Sequence, residues 1–168
     1  DAVRGTRAKI LDTRKTTPGW RLLEKYAVRA GGGTNHRGSL SDGVLIKDNH
    51  LGGMGITEAV RRAKLRWPGR LVEVECDRID QVAEAIEAGA TMVMLDNMSL
   101  AEVRKAIKVV DAAAVVNGTA RVPVEVSGRM SLDVVGDYAR IAGVDFISVG
   151  ALTHSAPVLD LGLDLEAD

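Results

Sequence analysis

Cysteine is nearly missing from this sequence. Cys76 is the one thiol in 168 residues, so no internal disulfide can form, and a reducing compartment, by default the cytoplasm, is the expected location. Aromatic residues are almost as scarce, with one Phe, two Tyr and two Trp, and the formal net charge is only −1. A nucleic-acid surface wants a basic excess and stacking rings, so that class of partner is set aside. No run approaches the ~18 apolar residues of a membrane span, and the first residues lack the basic-then-apolar pattern of a secretory leader, so neither a membrane partner nor a targeting segment is expected. Nor does any linker or low-complexity tract divide the chain. With 46% hydrophobic residues, positions 1–168 read as one globular domain with a sizeable core and a small-molecule partner.

What is present is alternation. Residues 9–12, 43–47, 71–75, 92–95, 122–125 and 145–149 read as strands. The clearest helices are 57–66, 79–87, 100–110 and 132–142, where apolar residues recur three and four positions apart. Asp80 and Ser99 suit a first turn or N-cap, Gly89 and Gly143 suit left-handed C-terminal stops, and Asn117-Gly118-Thr119 reads as a simple loop. Strands alternating with helices imply right-handed βαβ units and an α/β fold with a parallel sheet. A closed eight-unit barrel usually takes ~200 residues or more, so the length points to an incomplete barrel, or one lacking elements before Asp1.

Nearly every strand ends in residues a core has no use for, on the side where parallel sheets place their sites. In order these are Asp12-Thr-Arg-Lys-Thr-Thr-Pro-Gly19, Lys47-Asp-Asn-His50, Glu73-Val-Glu-Cys-Asp77, Leu95-Asp-Asn97, Glu125-Val-Ser-Gly128 and Val149-Gly-Ala-Leu-Thr-His154. Arg14, Lys15, His36, Arg37 and Lys47 form a cationic set suited to carboxylates or phosphates. Glu75 and Asp96, at the ends of adjacent strands, suit a hard cation such as Mg²⁺ beside phosphates. Ser127-Gly128 and Gly150-Ala151 let backbone N–H groups approach a terminal phosphate. Glu73 and Glu75 share a parity, so the pair also fits a merely polar barrel interior. Glu125 is open between a structural and a pocket-lining role. His50 is open between a site residue and a cap of its own loop, and Gly31-Gly-Gly33 counts only with the Thr34-Asn-His-Arg37 that follows.

Asp12 to Gly19, Lys25-Tyr-Ala-Val-Arg29, Gly31 to Arg37, Leu45-Ile-Lys-Asp-Asn-His50, Leu95-Asp-Asn97, Val126-Ser-Gly128 and Val149 to Ser155 resemble the motif series of the quinolinate phosphoribosyltransferases, in order and over essentially the whole chain through Leu165. The resemblance implies an open, TIM-like parallel βα barrel of six or seven strands. It also implies phosphoribosyl transfer from phosphoribosyl pyrophosphate to quinolinate with loss of CO2, in a homodimer or higher homo-oligomer. Carried over residue by residue, it puts Arg14, His36, Arg37 and Lys47 around the quinolinate carboxylates, and Lys15 and Lys47 on the phosphoribosyl pyrophosphate. Glu75 and Asp96 become the ribose- and Mg²⁺-side acids, and Ser127, Gly128, Gly150 and His154 the 5-phosphate cradle. Thr13, Val149 and Ala151 complete the substrate-binding set, and Lys15, Lys47, Glu75 and Asp96 are the expected catalytic residues.

The sequence departs from the family pattern in two respects. Arg129 stands where a second glycine usually follows Ser-Gly. The family's N-terminal α/β domain, about a hundred residues, is absent from this chain. In the family that domain reaches the partner subunit's barrel mouth and supplies a further arginine, so this chain alone is expected to be weakly active or inactive. The competing readings are a relative of uncertain substrate associated with molybdenum-transport operons, and a non-catalytic barrel fragment.

Overall fold

The computed structural model describes residues 1–165. Six strands are found there, β1 (Lys9–Leu11), β2 (Val44–Ile46), β3 (Val72–Cys76), β4 (Met92–Asp96), β5 (Val124–Ser127) and β6 (Phe146–Ser148). The helices are α1 (Arg21–Ala30), α2 (Asp48–Leu51), α3 (Ile56–Arg66), α4 (Ile79–Glu87), α5 (Leu100–Asn117), α6 (Leu132–Ala139) and α7 (Ala151–His154).

All strand pairs are parallel, in the order β1-β6-β5-β4-β3-β2. From β2 to β6 each crossover advances one strand in the same direction, and β6 then meets β1. That is the winding of a barrel; a doubly wound sheet reverses at a switch point. The ring is open between its two edges, β1 and β2. On the β1 edge, Thr34 forms a parallel bridge with Leu11, its N–H donating to Ile10 O at 2.8 Å while Asp12 N–H donates to Thr34 O at 3.2 Å. The segment after α1 therefore stands where a neighbouring strand would.

Curvature follows from one contact. β1 and β3 are four strand positions apart, ~19 Å in a flat sheet. Yet His36, two residues past Thr34, reaches Glu73 on β3 at 3.1 Å. Only a sheet curled into an open barrel permits this, as the sequence led us to expect.

The strand period of two sorts residues by face. Val72, Val74 and Cys76 of β3, Val93 and Leu95 of β4, Val124 and Val126 of β5 and Ile147 of β6 are sealed against the helices, as are Val60, Val82, Val103 and Val135 from the helical side. Burying each such side chain contributes about 1.5–3 kcal/mol, so this outer layer carries the fold. Burial there also pushes the Cys76 thiol up to about 12, which makes it packing rather than chemistry. The opposite parity faces the barrel interior, where Glu75, Met94 and Glu125 align in register, as do Asp96 and Ser127.

The strands and helices match expectation closely, with instructive differences. The fifth strand runs 124–127 instead of 122–125, because Pro123 has no N–H and joins the ladder only by accepting from Val93. That shift brings Ser127 into the strand. Helix α5 continues to Asn117, and Asn117-Gly118 is its stop: Gly118 is left-handed and its N–H closes onto Ala114 and Val115 carbonyls. Helix α6 ends at Ala139, short of 142. Ser99 caps α5 as expected, in a reciprocal box with Glu102. After β2 and β6 the rim residues are not loops but the starts of the short helices α2 and α7.

The turn after β5 is left-handed twice over, at Gly128 (φ 97°) and Arg129 (φ 46°). A Cβ on Gly128 would lie 2.7 Å from the Asn97 backbone nitrogen, so only glycine fits. Arg129 bears a conformation that costs a side chain about 1–2 kcal/mol, and glycine's own entropy offsets about half of that. Arg129→Gly is therefore expected to raise stability by about 0.5–1 kcal/mol, a Tm increase of about 1–4 °C in thermal unfolding; a lowered Tm would contradict the assignment of strain.

Candidate functional site

The strand ends converge on one cleft of about 250 Å³. Thr13, Arg14 and Lys15 enter it from the loop after β1, His36 and Arg37 from the segment beside β1, Lys47 from the end of β2, and Ser127 from β5. Asp12, Leu45, Met94 and Ser148 complete the lining. Pockets for drug-sized ligands run to roughly 300–1,000 Å³, so this one suits a small molecule.

Glu75 joins through an ion pair with Lys47. Asp96, paired in register with Ser127, accepts from Asn97 Nδ2 at 2.6 Å. A Cβ on Gly150 would stand 2.9 Å from His154 Nε2 and 3.7 Å from Lys15 Cδ, so the bare glycine lets those two side chains lie together. Thr153 Oγ1 donates to Lys15 O at 2.7 Å, fastening the loop after β1 to α7. Ala151 begins α7. Val149 ends differently: its side chain is buried with the outer layer and its N–H donates to Leu11 O at 2.9 Å, so it supports the turn without facing the cleft. His50 Nδ1 accepts from Lys47 N–H at 3.0 Å, which settles it as a cap of α2.

The charges are uneven. Arg37 donates to Gly43 O at 2.9 Å, but burial lowers its pKa and the neighbouring Arg14 lowers it further, against the opposing pull of Glu73 and Asp42. The Arg14 Nε is buried with no acceptor. Two guanidinium groups side by side, one of them with an unanswered donor, describe a site made for an anion.

Below them lies a cluster only partly visible in the sequence. His36 Nε2 is 3.1 Å from Glu73 Oε2 and 3.2 Å from Glu125 Oε2, and Ser148 Oγ donates to Glu125. Burial works against charge on His36, but hydrogen bonds and attraction from Glu125 and Glu73 overcome it and lift the pKa to about 10. Burial raises Glu73 to about 7, the His36 hydrogen bond opposing and Glu125 assisting. Asp12, fully buried, was quoted only as the start of a motif; it accepts from Lys25, from Asn35 and from His36 N–H at 2.8 Å. Lys25 likewise enters the sequence reading only as the start of a motif, and nothing there ranks Ser148 above its neighbours.

A larger cavity, about 710 Å³, lies elsewhere, between β2 and α3, its apolar lining including Val44, Ile46, Met54, Ala63 and Trp67. Arg37, Arg62, Arg66, Arg70 and His50 also line it, but no carboxylate does, whereas the smaller cleft sets Asp12 among its bases.

Both shifted groups of the buried cluster hold protons more tightly folded than unfolded, so unfolding releases protons and stability must fall as pH rises. The Glu73 share is lost between its ordinary 4.5 and about 7, and the His36 share between 6.5 and about 10. Urea midpoints measured from about pH 5 to 9 are expected to decline, and to decline less in Glu125→Gln; a wild-type midpoint that climbs over this range would contradict the protonation scheme.

The family model described as quinolinate phosphoribosyl transferase, C-terminal domain, matches residues 1–164. A nicotinate-nucleotide pyrophosphorylase (carboxylating) of Mycobacterium leprae is 46% identical over 166 residues, 98% of this chain and 56% of that protein. A probable nicotinate-nucleotide pyrophosphorylase (carboxylating) of Bacillus subtilis is 46% identical over 160 residues, 94% of this chain and 52% of that protein. Among solved structures, the nicotinate-nucleotide pyrophosphorylase of Ehrlichia chaffeensis superposes with a TM-score of 0.83 at 44% identity, over 92% of this chain and 54% of that one. The chain thus spans about half the length of the curated relatives it matches.

Proposed function

The chain belongs to the quinolinate phosphoribosyltransferase family, matching its C-terminal domain, and from that premise we propose that its cleft joins quinolinate to the phosphoribosyl group of phosphoribosyl pyrophosphate. The products are nicotinate mononucleotide, pyrophosphate and CO2, a step of NAD biosynthesis. We place the reaction in the cytoplasm, within a homodimer or larger homo-oligomer.

The observation that carries this reading is the adjacent Arg14 and Arg37, with Arg14 Nε unpartnered. Planar guanidinium forks take carboxylates at two points each, so the pair suits a dicarboxylate held flat. Lys47 closes the same side, and Lys15, beside Gly150 and His154, reaches toward the phosphates. Gly128 and Gly150 leave room for the 5-phosphate against backbone.

Glu75 and Asp96 face inward from neighbouring strands, Glu75 in register with Met94, two residues before Asp96. Two hard carboxylates without a third protein ligand suit Mg²⁺, which keeps waters and substrate oxygens in its shell. When bound there it supplies neutralisation of the pyrophosphate as that group leaves. The remaining catalysis is orientation and electrostatics: the arginines and Lys47 hold the pyridine nitrogen toward the anomeric carbon, and no covalent bond to the protein is needed. Positive charge on the alkylated ring nitrogen then favours departure of the adjacent carboxylate as CO2.

Calorimetry with quinolinate, with and without phosphoribosyl pyrophosphate and Mg²⁺, is expected to show binding that Arg14→Ala weakens about 10- to 100-fold. In an otherwise complete enzyme, assays of nicotinate mononucleotide formation are expected to show kcat/KM lowered at least about 100-fold by Lys47→Ala and by Glu75→Ala, about 3 kcal/mol of transition-state stabilisation. No heat with quinolinate, or near-normal rates in both variants, would overturn the proposal.

A further inference from the structure

The chemistry above makes no use of the cluster beneath the cleft. Its members come from three separate places: His36 from the segment along β1, Glu73 from β3 and Glu125 from β5. Glu125 has no exposure and Glu73 only 5%, while His36 lines the cleft itself. Two carboxylates this close, out of water, repel one another unless a positive group or a proton lies between them.

None of the surrounding cations forms an ion pair with Glu73 or Glu125, Arg37 acting on Glu73 only through space. On the same segment Arg37 donates to Gly43 O; from α1, Lys25 pairs with Asp12; from β2, Lys47 pairs with Glu75; Arg14 stands against Arg37. Ser148 of β6 satisfies one oxygen of Glu125. Glu73 Oε1 has no hydrogen-bond partner, and the one polar contact of Glu125 Oε2 is with His36 Nε2, 3.2 Å away. His36 is thus the group that both acids share.

The far side of the ring fixes where its hydrogen must be. His36 Nδ1 accepts the Arg37 N–H at 2.7 Å, and a ring nitrogen that accepts carries no hydrogen, so in that tautomer the hydrogen is on Nε2. Full protonation also keeps Nε2–H, at the expense of the Arg37 contact. A metal is the poorer occupant: although the three ligating atoms lie within 4.8 Å of one another, metal on Nε2 would drive hydrogen onto Nδ1, against the Arg37 N–H. The backbone is pinned as well, His36 N–H donating to Asp12 at 2.8 Å and its carbonyl accepting from Lys25 at 3.0 Å.

We propose that Glu73 and Glu125 are positioning residues that act through His36: they hold the hydrogen on Nε2 between them, so that the ring stands at the cleft floor as a permanent proton carrier and serves neither as a base nor as a metal ligand. An unheld histidine loses its proton across neutral pH. Held this way, it keeps the cleft's affinity for an anion level over the same range. The upward shift of His36 comes from the same two acids that stand around Nε2.

Nitrogen-15 NMR titration of the histidine rings, with His36 assigned by His36→Gln, tests the positioning role on the protein itself. His36 is expected to keep its Nε2 hydrogen from about pH 6 to 9, and Glu125→Gln to move its titration down by about one pH unit or more. Glu73→Gln provides the same readout should Glu125→Gln fail to fold. Loss of the Nε2 hydrogen between about pH 6 and 8 in the wild type, or a titration that neither substitution moves, would overturn the proposal.

The effect on affinity rests on the functional reading given above and has its own arm. Quinolinate affinity is expected to be level between about pH 6.5 and 8.5 in the wild type, and to fall severalfold over that interval in Glu125→Gln. If quinolinate binds at neither pH, the functional reading fails, and the ring titration still decides the positioning role.

Discussion

Asp12 carries a carboxylate with no exposure to water, and three donors from two parts of the chain meet it: Lys25 on α1, and the Asn35 amide and His36 backbone N–H on the segment after it. Removing one partner of a buried charge typically costs about 3–5 kcal/mol, because the other charge is left unanswered. This knot fastens the glycine-rich segment along the free edge of β1, where the barrel is open. His36 and Arg37 are the next residues on that segment. Their position in the cleft, and hence the cationic face opposite Lys47, depends on a carboxylate whose own bonds are spent inside the protein.

A division of labour between the two faces of the sheet makes such a knot possible. The outward parity is nearly pure valine, leucine and isoleucine against the helices, and it supplies the burial that stabilises the domain. The inward parity is released from that duty and carries Glu73, Glu75, Asp96, Glu125, Ser127 and Ser148. Depth then differentiates like residues. Glu73, deeper, meets His36; Glu75, two residues nearer the rim, meets Lys47. One strand therefore serves both the floor of the cleft and its mouth.

Much of this was legible in the residues. Alternating periods located the strands and helices, and six polar strand ends located the rim. What periodicity cannot supply is which face of a helix meets a buried charge. Helix α1 turns Leu22, Leu23 and Tyr26 outward and buries Lys25, the reverse of an amphipathic reading, because Asp12 needs a cation more than the core needs another leucine. Parity placed Glu73 and Glu75 on one face but could not rank them, since rank depends on His36 arriving from 37 positions away in sequence. The fifth strand was set two residues early because a β-rich run containing Pro123 hides where pairing can begin. Ser148 was missed because it sits in a three-residue strand whose other members are apolar.

The small cleft at the strand ends, and not the larger cavity between β2 and α3, is the proposed seat of the ligand. A crystal structure of the protein soaked with quinolinate tests that choice directly. The account requires density in the 250 Å³ cleft with the two carboxylates against Arg14 and Arg37. Quinolinate seated instead in the 710 Å³ cavity between β2 and α3 would contradict it.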